Sequence, residues 1–264
     1  MIFYFSGTGN SRMAAEFISE SIGENLYFIP KTDPGTARLE GESLGFVFPV
    51  YSWGVPSIVV NFVRALSKEL RHEVYISGKA VWCVMTCGDD TGLAPEMFRD
   101  ILEECELGLN GGWSVIMPNN YVLLPGFDVD PKDVEQRKLE EAIPRLMEIS
   151  KLINRGIYER NYAMGSWSWI KTKWIYPLFR RWGIFPSKWH SLESCVGCGI
   201  CAESCPVDNI EMVDGRPKWG SRCVSCLACY HSCPRHCVEY GRITSGKGQY
   251  FNPGKQICRL RPDK

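Results

Sequence analysis

The chain has 264 residues with 30 acidic and 30 basic side chains; its local basic excess is modest and no nucleic-acid recognition motif accompanies it, which speaks against a nucleic-acid partner. Its 45% hydrophobic and 23% charged residues are those of a soluble globular protein. No apolar run approaches the ~20 residues that cross a bilayer.

Met1-Ile2-Phe3-Tyr4-Phe5 reads as a buried parallel strand, and Arg12–Ile22 as a helix with Ala14, Ala15, Phe17, Ile18 and Ile22 inward. Between them lies Ser6-Gly7-Thr8-Gly9-Asn10-Ser11. A glycine- and hydroxyl-rich turn from a first strand into a first helix aims backbone N–H groups, hydroxyls and the helix N-terminus at one phosphate. No Lys follows Gly9, and position 12 is Arg, so this is neither the P-loop nor the dinucleotide fingerprint. The alternation continues with strands at Leu26–Ile29, Leu44–Phe48, Ala80–Met85 and Trp113–Met117. Helices are predicted over about 57–67, 94–106 and 131–155. The strands at 44–48, 80–85 and 113–117 run into Pro49-Val50-Tyr51-Ser52-Trp53-Gly54-Val55-Pro56, Thr86-Cys87-Gly88-Asp89 and Pro118-Asn119-Asn120-Tyr121. Five strands separated by helices predict an α/β, doubly wound parallel sheet, with ligands outside the carboxyl ends of its strands.

These loops resemble those of flavodoxin. Ser6, Gly7, Thr8, Gly9, Asn10 and Ser11 are similar to the phosphate loop for FMN. Pro49, Val50, Tyr51, Ser52, Trp53 and Gly54 resemble the second flavin loop, and Thr86, Cys87, Gly88 and Asp89 the third. The resemblance implies strand order 2-1-3-4-5 and FMN as cofactor. Tyr51 and Trp53 can supply an aromatic plate, with core packing or a partner-facing patch as the alternative. Gly54 and Gly88 permit close backbone approach. Asn119, Asn120 and Tyr121 are a candidate third wall. Cys87 has no His near it to make a nucleophile, and Cys83 and Cys105 read as small buried hydrophobes.

Residues 156–190 read as a basic linker: Trp167, Trp169, Trp174, Trp182 and Trp189 fall among Lys171, Lys173, Arg180, Arg181 and Lys188. An interfacial membrane helix is one reading. Packing between two domains is favoured over it, because the apolar residues do not form a single helical stripe in the sequence. The net charge is −9 over 1–154, +6 over 155–190, −2 over 191–240 and +5 over 241–264. The basic segments either lie against the acidic domain, steer an acidic partner, or are simply solvated.

Two cysteine runs follow, Cys195-x2-Cys198-x2-Cys201-x3-Cys205-Pro and Cys223-x2-Cys226-x2-Cys229-x3-Cys233-Pro. Three closely spaced thiolates serve one [4Fe-4S] cube, and the fourth, before proline, serves the other cube in two-cluster ferredoxins. Cluster I is therefore expected on Cys195, Cys198, Cys201 and Cys233, and cluster II on Cys223, Cys226, Cys229 and Cys205. Zinc prefers two separated pairs, and disulfides fit poorly with a chain whose first residues lack an export signal. A repeat with an offset of 28 aligns Cys237 with Asn209, so Cys237 is expected to pack rather than ligate. Ile210 and Val238 align and cover the clusters; Met212–Trp219 reads as a hairpin about Asp214-Gly215. His190, His231 and His236 are read as exposed or packed. Cys258 is isolated and has no assigned chemistry.

The whole chain resembles the flavodoxin–ferredoxin fusion electron-transfer proteins of anaerobes. The implied organisation is a flavodoxin-like FMN domain (1–155), the linker (156–190), an α+β two-cluster ferredoxin-like domain (191–240) and a tail (241–264). The implied cofactors are FMN and two [4Fe-4S] clusters, the implied location cytoplasmic, and the implied partner a redox protein, with a homodimer left open. The alternatives are an FMN-dependent reductase of a small substrate, which needs a space walled by Trp53, Asn119, Asn120 and Tyr121, and a redox sensor that docks through the Trp-rich segment.

Overall fold

The computed structural model describes residues 1–182, 185–252 and 254; Cys258 lies outside them. The first half alternates β1 (Ile2–Tyr4), α1 (Asn10–Ile22), β2 (Leu26–Phe28), β3 (Ser43–Pro49), α2 (Ser57–Ser77), β4 (Ala80–Cys87), α3 (Ala94–Glu104), β5 (Gly111–Ile116) and α4 (Lys132–Asn154). The strands pair in parallel in the order 2-1-3-4-5, the flavodoxin-like doubly wound arrangement. β3 and β4 are buried almost throughout, as strands covered on both faces must be. One face carries Phe3, Phe46 and Phe48 against α2 and α3; the other carries Ile2, Val47, Val84 and Trp113 against α1 and α4.

Two departures from expectation concern lengths. α2 runs to Ser77, ten residues past its predicted end, because Leu70 and Val74 keep the buried stripe going. The sheet has six strands rather than five, since β6 (Arg160–Asn161) pairs with β5 at Gly112 and Trp113. Residues of the linker thus belong to the sheet. Two residues are too few to carry a period-two signal.

Beyond β6, α5 (Ser168–Ile170) passes through a π-turn (Lys171–Ile175) into α6 (Tyr176–Trp182). The described side chains of this segment that are buried are not its tryptophans. Thr172 and Tyr176 are buried, whereas Trp167, Trp169 and Trp174 are exposed.

The second half is small. β7 (Trp189–Ser191) pairs antiparallel with β10 (Val238–Tyr240), and β8 (Ile210–Val213) with β9 (Arg216–Trp219). Asp214 and Gly215 both have positive φ in the β8–β9 turn, as a two-residue hairpin loop requires. Short helices α7 (Ile200–Glu203) and α8 (Ala228–His231) lie within the two cysteine runs and carry Cys201 and Cys229, the third cysteine of each. The core of this half includes Val122 and Leu123 from the loop after β5, so the halves share apolar surface. Among the described residues no helix is long and apolar enough to cross a membrane.

Candidate functional site

The three flavin-type loops meet at the carboxyl ends of β1, β3 and β4. In the first, Ser6 Oγ accepts the Gly9 N–H at 3.1 Å, and Gly9 takes φ 97° to turn the chain into α1. No side chain caps α1, which leaves its first N–H groups pointing into the loop. Ser11 Oγ lies 2.7 Å from Thr86 Oγ1, tying the first loop to the third. A phosphate fits this chemistry: uncapped amide donors at a helix N-terminus, with the Ser6, Thr8 and Ser11 hydroxyls beside them.

In the second loop, Tyr51 and Gly54 exchange two backbone hydrogen bonds of 3.0 Å across a tight turn. Ser52 and Trp53 at its tip have φ 47° and 61°. Non-glycine residues there store strain of order 1–3 kcal/mol each, which the surroundings must hold. They do: Thr172 Oγ1 donates to the Trp53 carbonyl at 2.8 Å, and the Tyr176 hydroxyl donates to the Val55 carbonyl. A Cβ on Gly54 would come 2.3 Å from the Tyr176 ring. Lys171 Nζ sits 5.2 Å from the Trp53 ring and pairs with Asp90 at 2.6 Å. The α5–α6 segment is therefore the brace of the second loop. Sequence periodicity could not reveal this, because among the described side chains of the segment only Thr172 and Tyr176 are buried.

In the third loop, Cys87 is buried and its thiol is pushed up to about 12 by burial, so it is no nucleophile near neutrality. Cys83, fully buried, behaves likewise. Asn119 packs on Gly88, where a Cβ would meet its Oδ1 at 1.7 Å, and its backbone N–H donates to Asp130 at 2.9 Å. Asp130 also receives Lys138 at 2.8 Å. Burial alone would raise the Asp130 carboxyl, but Lys138 and the Asn119 donors outweigh it and hold it low. Asn120 donates to Thr8 Oγ1. Tyr121 sets its ring against Phe127 and Phe179 and packs on the core of the second half, while Asn119 and Asn120 bond into the loops.

The cysteines gather into two groups. Cys195, Cys198, Cys201 and Cys233 line one cavity of ≈ 330 Å³, open solvent included. Cys205, Cys223, Cys226 and Cys229 form the other: burial raises the Cys229 thiol, and the nearby Cys226, Cys223 and Cys205 raise it further. Among the described residues no three His, Cys, Asp or Glu side chains converge as they would on a single ion. The two groups repeat one local bond. The Asn209 N–H donates to Cys205 Sγ at 3.3 Å, and the Cys237 N–H to Cys233 Sγ at 3.4 Å. Cys237 is buried with its Sγ 3.4 Å from Cys233 Sγ, against the first cavity.

The two halves touch where the loops and the second group meet. A Cβ on Gly7 would stand 2.2 Å from the Cys226 carbonyl oxygen and 2.9 Å from its Cβ. Burial raises the Tyr51 hydroxyl well above its ordinary range, and the nearby Cys226 and Cys223 raise it further. The first group lies farther out: Cys198 is exposed and Val196 is 65% exposed.

Three elements of this site carry no motif. The Asn252 N–H donates to the Thr8 carbonyl at 2.8 Å, and the Tyr250 hydroxyl to Asn10 Oδ1 at 2.6 Å, so the tail closes over the phosphate loop. His231 is buried and neutral, its ring pushed down to about 4 by burial. Its Nδ1 accepts the Tyr250 N–H at 3.1 Å, which leaves the Nε2–H to donate to the Asn120 carbonyl at 2.7 Å. One imidazole thus joins α8, the Asn120 loop and the tail.

Residues 189–211 match the family model described as a 4Fe-4S binding domain, which spans the first cysteine run and stops before the second. No curated protein matches the chain. Among solved structures it is similar to the Trp repressor binding protein from Bacillus subtilis, at 17% identity over 59% of this chain and 98% of that one, with a TM-score of 0.42. It is also similar to the two-electron reduced flavodoxin of Megasphaera elsdenii, at 18% identity over 43% and 85%, with a TM-score of 0.33.

Proposed function

We propose that the chain is an electron-transfer protein holding FMN at its three loops and a [4Fe-4S] cluster in each thiol group. The observation that carries this reading is the packing of Gly7 on Cys226. A phosphate-type loop and a cluster-type cysteine share one van der Waals border, an arrangement of use only if the two sites exchange something.

The Ser6, Thr8 and Ser11 hydroxyls and the N–H groups at the start of α1 would hold the phosphate. Tyr51 and Trp53 would flank the ring, with Thr86, Cys87, Gly88, Asp89, Asn119 and Asn120 at its polar edge. Bound there, flavin supplies one- and two-electron chemistry, and each cluster supplies one-electron chemistry. The chain's own part is to order these sites. The group built on Cys205, Cys223, Cys226 and Cys229 is the inner one, beside Tyr51, and the group built on Cys195, Cys198, Cys201 and Cys233 is the outer one, open to a redox partner. Joining the sites in one chain replaces a docking step by an intramolecular one of high effective concentration.

The placement of the third-wall residues weighs for a carrier over a reductase of a small substrate. Tyr121 packs its ring on Phe127, Asn119 is tied to Asp130 and Asn120 to Thr8, so all three are engaged within the protein. Anaerobic purification with flavin, iron and sulfide quantified tests the reading: one FMN and about eight iron atoms per chain are expected. Four iron atoms, or no flavin, would break it. Anaerobic stopped-flow then asks whether electrons given to the clusters reach the flavin; clusters that stay reduced for seconds beside oxidised flavin would refute internal transfer.

A further inference from the structure

Two buried donors near the inner thiol group have no partner. Trp189 is 6% exposed and packs edge-on against Tyr240, ring centroids 5.0 Å apart. Trp219 stacks on it at 6.2 Å with the planes 20° apart. The Nε1 atoms of both indoles are out of reach of solvent and make no hydrogen bond at bonding distance within the protein. A buried N–H left unpaired is costly, so two side by side call for an acceptor. Both rings lie in one apolar cluster with Cys223 and Cys229, the sulfurs nearest to hand in that cluster for two unpaired indole donors. A neutral thiol is a poor acceptor; a thiolate is a good one.

The repeat shows that this feature is one-sided. The backbone N–H bonds to Cys205 and Cys233 are matched between the halves. With the offset of 28, Trp189 aligns with Pro217 and Trp219 with Ser191. Pro217 lines the outer cavity and has no N–H of any kind. The outer group therefore lacks the counterpart of the Trp189 donor, and has a short hydroxyl side chain in place of the second indole.

We propose that Trp189 and Trp219 donate indole N–H hydrogen bonds to the Cys223 and Cys229 thiolates of cluster II and raise the reduction potential of that cluster alone. The inference rests on the two-cluster reading above. Reduction places more negative charge on the ligand sulfurs, so a fixed donor favours the reduced form more than the oxidised one. A donor that is already buried and stacked adds this preference without reorganisation when the electron arrives. The consequence is an electron held at the inner cluster, next to the flavin loops.

The test is a potentiometric titration, followed by electron paramagnetic resonance, of the anaerobically purified full chain and of its Trp189→Phe, Trp219→Phe and double variants. Each single variant is expected to make reduction of one cluster up to tenfold less favourable, equivalent to 59 mV for one electron. The double variant should shift the same cluster further, while the other cluster and the flavin stay in place. Two intact clusters whose midpoints do not move would overturn the inference, as would an equal shift of both. A wild-type iron count near four would instead refute the two-cluster reading. If the variants do not load iron, wild-type protein carrying 15N-indole tryptophan decides the matter. A 15N coupling on only one of the two cluster signals supports the inference, and no coupling on either overturns it.

Discussion

Gly7→Ala is the most direct challenge to the proposed border between the sites. Gly7 does not have positive φ, so alanine can adopt its backbone conformation and the added methyl is the whole perturbation. That methyl would lie 2.2 Å from the Cys226 carbonyl oxygen and 3.0 Å from the carbonyl carbon, backbone atoms that cannot swing aside. Ordinary contact begins at 3.4 Å, so the loop and the cysteine run must part by about 1 Å or accept the clash. Overpacking of this kind costs about 1–3 kcal/mol, which in a chain of this size lowers the melting temperature by roughly 2–4 °C per kcal/mol. The assay pairs thermal melting with anaerobic stopped-flow on protein whose flavin and iron contents match wild type. A lower melting temperature and slower passage of electrons from clusters to flavin are expected. A fully loaded variant that melts and transfers as wild type does would show that the Gly7–Cys226 contact is not the border that matters.

Three further perturbations have defined outcomes. His231 is held at about 4 by burial, below its unfolded value of about 6.5, so the neutral ring is the stabilising form. Its contribution is complete above pH 6.5 and is lost as pH falls toward 4, amounting to about 3 kcal/mol. His231→Gln should thus be less stable than wild type at pH 7.5, with the gap closing in denaturant titrations toward pH 4.5; a gap that ignores pH would remove His231 as the latch. Cys205→Ser should reduce iron to about four atoms per chain, whereas Cys237→Ala should keep about eight; iron loss in the latter would return Cys237 to the ligand set. Lys138→Met leaves the half-buried Asp130 carboxylate with only its Asn119 donors and should cost about 1–3 kcal/mol near neutral pH. Because Asp130 is held low, that cost should shrink as pH falls and the carboxyl protonates; equal losses at pH 7 and pH 3.5 would contradict the pairing.

What could be read directly from the residues was what is local in the chain. Strand–loop–helix alternation, the Ser6–Ser11 turn, the Asp214-Gly215 hairpin and the spacing of eight cysteines each express a backbone geometry within a few residues, and local geometry leaves its mark on composition and period. The offset of 28 likewise pairs Cys237 with Asn209, a relation visible in the residues themselves. Tertiary structure alone decided which sites meet. That Cys226 lies against Gly7, that Asn252 bonds to Thr8, and that His231 joins Asn120 to Tyr250 depends on docking between segments more than a hundred residues apart for the first two and for the His231–Asn120 pair. No periodicity records such contacts. The same reason explains Tyr121, whose ring is claimed by Phe127 and Phe179, and the exposed tryptophans of the α5–α6 segment, where Thr172 and Tyr176 do the packing. It also explains why Trp189 and Trp219 gave no sign of partnership: thirty residues apart in the chain, they become a stacked pair only when β7 is laid beside β9.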